Sequence, residues 1–460
     1  RQRGRKMTGH ALLNAPGPRL GSRAGGLRAS RAVPAAFARG TIAAPRQRTF
    51  RIDAVATDAS LRDFVGWLER AKAIDPAKAA SMPVLTPDGP KLQTTRAVKE
   101  GEVLFSVPTS AFLSAAVVDA SPMGKYVEGA KGWIKIALFL ISERANPSSE
   151  WGPFLALLPD EPDGTMFWTD EQLSLLGGSQ LLASTLNYRE YVAAEYTFLK
   201  DNLFTPNARD FPEDVFTAEA LAWAFGILRS RCHEPLNDGD DLALVPLADL
   251  TTHNVSCNAR TEMGKAVLGG LVGKEGLILK ADREYGAGEA VTMNYGIFKS
   301  DSAVALDYGA LGGTDGGAFY LTLAIPEGDR FYDDKADIAE QAGLAESFEF
   351  SFAASEDPPK DMTTFLRLMN MGGTDSFLLE ALFRTQSWEL ISEPVSEENE
   401  RNVASSMVTG CAEALEGYAT SIEEDLQMLS DGVYLPGSRE FLAVRARLGE
   451  KQDLKSCKRG

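Results

Sequence analysis

The sequence predicts an α+β chain: a β-rich module interrupted by helices, then an all-helical domain. Three observations point there. A Gly-Glu step opening an extended run occurs at Gly101-Glu102 and again at Gly288-Glu289, followed by the strand-like runs 103–107 and 290–295. From about 120 to 230 apolar residues recur at helical spacing. Beyond 325 the composition shifts to an acidic, Pro-containing linker, SEDPPKD, and to further helical stripes.

In chain order, Leu61, Phe64, Val65 and Leu68 mark a first helix, with Ser60 as its expected N-cap. Pro87-Asp88-Gly89-Pro90 is a turn, and the run 103–107 is a strand stopped by Pro108. Trp133, Ile136, Ala137, Leu140 and Ile141 trace a helix, and NYREYVAAEYTFLKDNLF another. Thr217 caps EALAWAFGILRSRC, which is apolar on nearly every side and therefore buried. That helix ends in Arg229, Ser230 and Arg231; Arg231 either points into a pocket or satisfies last-turn carbonyls.

A polar loop at 237–241 leads into DLALVPLADLTTHN, which sets Asp249, Thr252, His253 and Asn254 at the end of a buried run. Strands at 277–280 and 290–295 are joined by a Gly286-Ala287-Gly288-Glu289 turn, and Tyr295 and Tyr308 bracket a further loop. Bringing these loops together would build a pocket with an Asp, a His and two phenols, the kind of concavity that binds small ligands. On spacing alone Tyr295 also reads as a packed tyrosine and His253 as a structural histidine. A strand is expected at 319–325. Ser396 caps one long helix carrying Val403, Met407, Cys411, Leu415, Tyr418, Ile422, Leu426 and Leu429.

At 460 residues the chain can hold two or three domains, and 44% hydrophobic with 24% charged residues is a globular rather than a disordered balance. No apolar stretch reaches membrane-spanning length. Residues 1–52 carry twelve Lys and Arg and no carboxylate, which reads as an organelle transit peptide or, alternatively, a disordered basic arm. The remainder has 35 basic against 64 acidic residues, so it repels phosphate backbones and argues against nucleic-acid binding, while a basic protein segment would be attracted. Cys232, Cys257, Cys411 and Cys457 are too widely spaced for a zinc site or a disulfide framework.

RSRC, DLALVPLADLTTHN and GEAVTMNYGIFKSDSAVALDYGAL together resemble the SET-domain protein methyltransferases, in particular the plastid group that includes the Rubisco large-subunit lysine methyltransferases. WGPFLALLP and FWTDEQLSLLGGSQLL resemble that group's insertion, and FYDDKADIAEQAGL, LRLMNMGGTDSFLLEALFR and GYATSIEEDL its helical substrate-binding domain. The resemblance implies a SET domain over 53–325 with a helical insertion at about 120–230, a substrate-binding domain over 326–450 and a tail over 451–460. It implies methyl transfer from S-adenosylmethionine to an exposed lysine of a plastid protein such as the Rubisco large subunit or aldolase, without a metal. Histidine methylation, a partner-binding protein of little activity and a mitochondrial address are the alternatives. By resemblance, Asp88, Gly89 and Pro90 lie against the cofactor, Ser230 and Arg231 reach its carboxylate or the substrate lysine, and Asp249 lines the lysine pocket. Thr252 and His253 hold the cofactor, Tyr295 is the catalytic tyrosine and Tyr308 stands beside it, touching cofactor and substrate. Gly89-Pro90-Lys91 stands where the family usually carries Gly-x-Gly, Thr252-His253 where it carries Asn-His, and His233 where it tends to carry an aromatic residue.

Overall fold

A computed structural model describes residues 56–87, 89–233, 242–268, 271–295, 301–311, 319–345, 347–352 and 358–457. The arm 1–52, Asp88, the polar loop 237–241 and residues 355–357 of the acidic linker lie outside them. The described chain forms two units, 56–167 with 186–295 and 168–185 with 301–457.

The first unit starts with the helix Asp58–Arg70, which buries Phe64 and Leu68. Its N-cap is Thr57 rather than Ser60; the Ser60 amide donates to Thr57 Oγ1 at 3.1 Å and Ser60 Oγ accepts from the Thr57 amide at 2.7 Å. Both hydroxyls close one capping box, so the helix begins three residues before the position the sequence pattern indicates. Next comes the hairpin Ser81–Thr86 with Gly89–Thr94. Its turn needs glycine, because Gly89 has φ +99°, a conformation that a Cβ disfavours.

Val103–Pro108 and Thr261–Leu268 flank Leu271–Lys280 in an antiparallel three-stranded sheet. The run 277–280 therefore pairs with 103–108, not with 290–295 as a hairpin. Only Thr292–Met293 of the second run is a strand, and it pairs elsewhere. The turn between the two runs is long enough for Tyr285 to bridge to Val98 instead, which separates them. At Gly276 the sheet admits no side chain: a Cβ there would overlap the Val107 carbonyl.

The helices Gly132–Ala145 and Ala218–Arg231 are apolar nearly all round and bury most of their lengths, as their sequences require. Phe225 is boxed edge-on by Trp133 at 5.5 Å and Tyr188 at 5.4 Å between ring centroids. Thr217 caps the second helix, accepting from the Ala220 amide.

The second unit is mostly helical, with one antiparallel pair, Phe319–Ala324 and Ser347–Phe352. The long helix expected across 403–429 is two helices, Glu397–Glu416 and Ile422–Ser430, the second with its own Ser421 cap. Its buried side is not an apolar stripe: Leu426 is 47% exposed and Asp425 is wholly buried. Asp425 accepts Arg447 Nη2 at 2.6 Å, Lys451 Nζ at 2.5 Å and Thr420 Oγ1 at 2.9 Å. Those cations come from the helix Arg439–Cys457, which continues through most of the segment expected as a tail. Glu450 of that helix accepts the Gln180 and Leu181 amides, Ser302 Oγ and Tyr418 Oη, tying 168–185 into the unit. Among the described residues no helix is long and apolar enough to cross a membrane.

Two stability outcomes follow from this packing. Gly276→Ala should lose about 2 kcal/mol or more in urea unfolding, because backbone rather than a side-chain tip must yield, whereas Gly286→Ala should stay within about 0.5 kcal/mol. Asp425→Ala, which leaves two buried cations unpaired, should cost about 3–5 kcal/mol in the same measurement.

Candidate active site

The polar side chains of the first unit gather around two very short strands. Thr252–His253 runs parallel to Thr292–Met293, with Thr252 opposite Thr292 and His253 opposite Met293. The Thr252 amide donates to the Val291 carbonyl at 2.9 Å and the Asn254 amide to that of Met293 at 3.1 Å. The Val291 amide donates to the Leu92 carbonyl at 2.8 Å, so the Gly89–Thr94 strand is held to the same strip. Beneath it, Cys257 Sγ lies 3.2 Å from the Thr292 carbonyl, and Tyr285 Oη lies 3.2 Å from both Thr292 Oγ1 and Asp282 Oδ1. Burial pushes the Tyr285 phenol up to about 12, so it stays protonated as a strut.

Tyr295 is fixed from two directions. Its amide donates to His253 Nδ1 at 3.1 Å, and its hydroxyl donates to the Thr251 carbonyl. The His253 and Tyr295 rings lie 5.1 Å apart between centroids. Thr251 is itself buried, its hydroxyl donating to the Ala248 carbonyl at 2.9 Å.

Arg231 ends its helix by turning toward Asp249. Nη1 donates to the Asp249 carbonyl at 3.1 Å and approaches Oδ2 at 3.4 Å, so the guanidinium serves a neighbouring turn instead of its own last carbonyls. The Asp249 side chain is 2% exposed, and burial pushes its carboxyl up to about 6 while Arg231 holds it back. Asp249 sits on the 3₁₀ turn Ala248–Leu250, entered through buried Leu247 at φ +81°, a strained conformation for leucine. Among the described residues Arg231 Nε, Asp249 Oδ1 and Thr252 Oγ1 are buried without a hydrogen-bond partner. A cationic donor, a carboxylate acceptor and a hydroxyl are the set that a ligand with ammonium and carboxylate ends would satisfy.

A family model described as Rubisco LSMT substrate-binding matches residues 326–454. The chain is 36% identical to the chloroplastic [fructose-bisphosphate aldolase]-lysine N-methyltransferase of Arabidopsis thaliana, over 86% of this chain and 81% of that one. It is also 36% identical to the chloroplastic Rubisco large subunit N-methyltransferase of Nicotiana tabacum, over 86% and 80%. A crystal structure of the SET domain of LSMT bound to lysine and AdoHcy matches with a TM-score of 0.78 at 35% identity, covering 88% of this chain and 91% of that one. This chain belongs to the Rubisco LSMT-like family of SET-domain protein methyltransferases. A lower likeness, 28% over 81% of this chain and 64% of the relative, is to an actin-histidine N-methyltransferase of Danio rerio.

Within this SET domain the residues named from the sequence occupy distinct places. Arg231 meets Asp249, His253 meets Tyr295, and Thr252 shares the short strand of His253. Gly89 and Pro90 lie on the hairpin strand tied to them, while Asp88 lies outside the described residues. Ser230 Oγ donates to the Gly226 carbonyl of its own helix at 2.7 Å. Tyr308 closes the helix Asp301–Tyr308 in the second unit. Sequence reasoning missed Thr251, whose contribution is a backbone carbonyl, and Leu247, whose contribution is a backbone angle. Neither leaves a side-chain signature. His233, on the two-residue strand Cys232–His233, is lowered to about 4 by loss of water around its imidazole. No group of three or more His, Cys, Asp or Glu able to hold a metal occurs among the described residues.

The two shifted groups give opposite pH dependences. His233 is about 4 folded against 6.5 ordinarily, so its contribution is full above 6.5 and lost as pH falls through 4. Asp249 is about 6 folded against 3.8, so its contribution is full below 3.8 and lost as pH rises through 6. Chemical unfolding across pH 4–6 should therefore show the wild type gaining stability with pH relative to His233→Phe, and losing it relative to Asp249→Asn.

Proposed function

We propose that this chain transfers a methyl group from S-adenosylmethionine to the ε-amine of a lysine in a plastid protein, with the Rubisco large subunit and fructose-bisphosphate aldolase as the first substrates to try. The carrying observation is Tyr295, held at its amide by His253 and at its hydroxyl by the Thr251 carbonyl, Thr251 standing two residues beyond Asp249 of the Arg231–Asp249 pair with its unpartnered atoms. When bound, S-adenosylmethionine supplies an electrophilic methyl on a sulfonium. Arg231 and Thr252 would bind its polar end, with Gly89, Pro90 and the Asp88 turn against it. His253 shares the strand of Thr252, and Ser230 and Tyr308 are the further candidates for cofactor or substrate contact.

The residues of the chain then have to deal with a proton. A lysine amine near 10.4 in water is an ammonium at neutral pH and cannot attack. Asp249 Oδ1 is placed to accept an N–H, and removal of water favours the neutral amine. Because the Tyr295 hydroxyl donates to Thr251, its lone pairs remain to orient the amine, so positioning carries the acceleration.

We read 53–325 as the SET domain with its insertion and 326–450 as the substrate-docking domain, where an acidic body favours a basic segment on the partner. The chloroplastic names of the two plant relatives support a plastid rather than a mitochondrial setting and lysine rather than histidine as acceptor. The same acidic excess supports a protein over a nucleic acid as partner.

Calorimetry with S-adenosylmethionine on protein lacking residues 1–52 should give saturable binding, and incubation with Rubisco or aldolase should place the methyl on lysine by peptide mass spectrometry. Tyr295→Phe should still bind the cofactor while kcat falls about 100-fold. Absence of cofactor binding would overturn the methyltransferase reading, and methyl on histidine alone would overturn the lysine assignment.

A further inference from the structure

We propose that His253 is a positioning residue for Tyr295, acting through its Nδ1 as the acceptor of the Tyr295 amide rather than as a ligand of the cofactor. This rests on the reading of Tyr295 as the residue beside the reacting amine. The geometry is specific about the imidazole. An amide N–H aimed at Nδ1 at 3.1 Å requires that nitrogen to be bare, so the ring is neutral with its proton on Nε2.

The consequence for Tyr295 is geometric. Its two fixed points lie at opposite ends of the residue, the backbone amide on His253 Nδ1 and the phenol oxygen on Thr251. Both partners come from one three-residue stretch, 251–253, whose course is set by pairing with Thr292–Met293. The ring of His253 lies 5.1 Å from that of Tyr295 between centroids, tilted 33° to it. With both ends held, the phenol oxygen keeps its direction when substrate arrives. With the amide released, the residue pivots on the weaker hold of one hydroxyl. A shift of this size at a residue that aligns a nucleophile lowers kcat more than it weakens binding.

Asparagine discriminates this role from plain packing, because its Oδ1 stands where imidazole carries Nδ1, whereas glutamine places its amide near Nε2 and alanine offers nothing. Three variants, His253→Asn, His253→Gln and His253→Ala, are compared for cofactor Kd by calorimetry and for kcat on the methylated protein. His253→Asn should keep kcat within about threefold, while Gln and Ala lose about tenfold or more, the equivalent of one lost hydrogen bond, with Kd unchanged in all three. In protein labelled with ¹⁵N-tyrosine, the amide signal that disappears in Tyr295→Phe should keep its hydrogen-bonded shift in the Asn variant and lose it in the others.

A readout on the unaltered protein stands apart from both folding of the variants and activity. Only three histidines occur in the chain, so ¹⁵N-histidine spectra should show His253 with an unprotonated Nδ1 and a protonated Nε2. The Nδ1–H tautomer overturns the proposal, as does equal kcat in Asn and Ala, or a loss confined to cofactor Kd. If the wild type transfers no methyl at all, the function is wrong while the tautomer and amide shift still decide the link between His253 and Tyr295.

Discussion

The parallel pairing of Thr252–His253 with Thr292–Met293 is the constraint on which the site depends. Parallel strands need a crossover connection, and here the crossover is the long hairpin Thr261–Leu268 with Leu271–Lys280, which is locked into the main sheet by Val103–Pro108. The two-residue pair is too short to be stable by itself. Its stability is borrowed from what grips it on either side: Leu92 through Val291, and the Cys257, Thr292 and Tyr285 cluster beneath. In return it sets 251–253 against 291–295, the arrangement from which Tyr295, His253 and Thr252 are all presented.

Two buried aspartates show how structure and function separate in this chain. Asp425, in the second unit, meets two cations and a hydroxyl, and its network is closed. Asp249, in the first unit, meets one guanidinium at a long 3.4 Å and keeps one oxygen without a partner among the described residues. A buried polar atom left open costs free energy, on the order of 1–3 kcal/mol, which a fold tolerates where something else will fill it. The strained Leu247, two residues before Asp249, is a second such cost at the same turn.

The sequence made legible what side-chain periodicity encodes. The buried helix Ala218–Arg231, its Thr217 cap, the strand at 103–108 and the approach of the loop at 249–254 to Tyr295 are all visible as patterns of residue type. What it concealed was pairing. The runs 277–280 and 290–295 look like a hairpin because a Gly-rich turn lies between them, yet register is decided by partners distant in sequence. The stripe across 403–429 conceals a break for a related reason: the helix Ile422–Ser430 packs through a salt-bridged carboxylate, and hydrophobic spacing carries no information about that. At the site, the hold on Tyr295 comes from a carbonyl and an amide, groups every residue has.

The same hydrogen bonds limit the chemistry available to an amine. Tyr295 donates its proton to a carbonyl, so it is an oriented dipole and a poor base. Asp249, at about 6, is more than four units below a lysine amine in water and would take its proton only after that amine has been stripped of solvent. The two groups therefore cannot drive deprotonation; they can only fix the direction of an amine that its surroundings have already made neutral. Alignment is then the quantity the protein controls, and a turn strained at Leu247, a closed capping of Thr251 on Ala248 and an imidazole acceptor at the Tyr295 amide are all devices that hold direction.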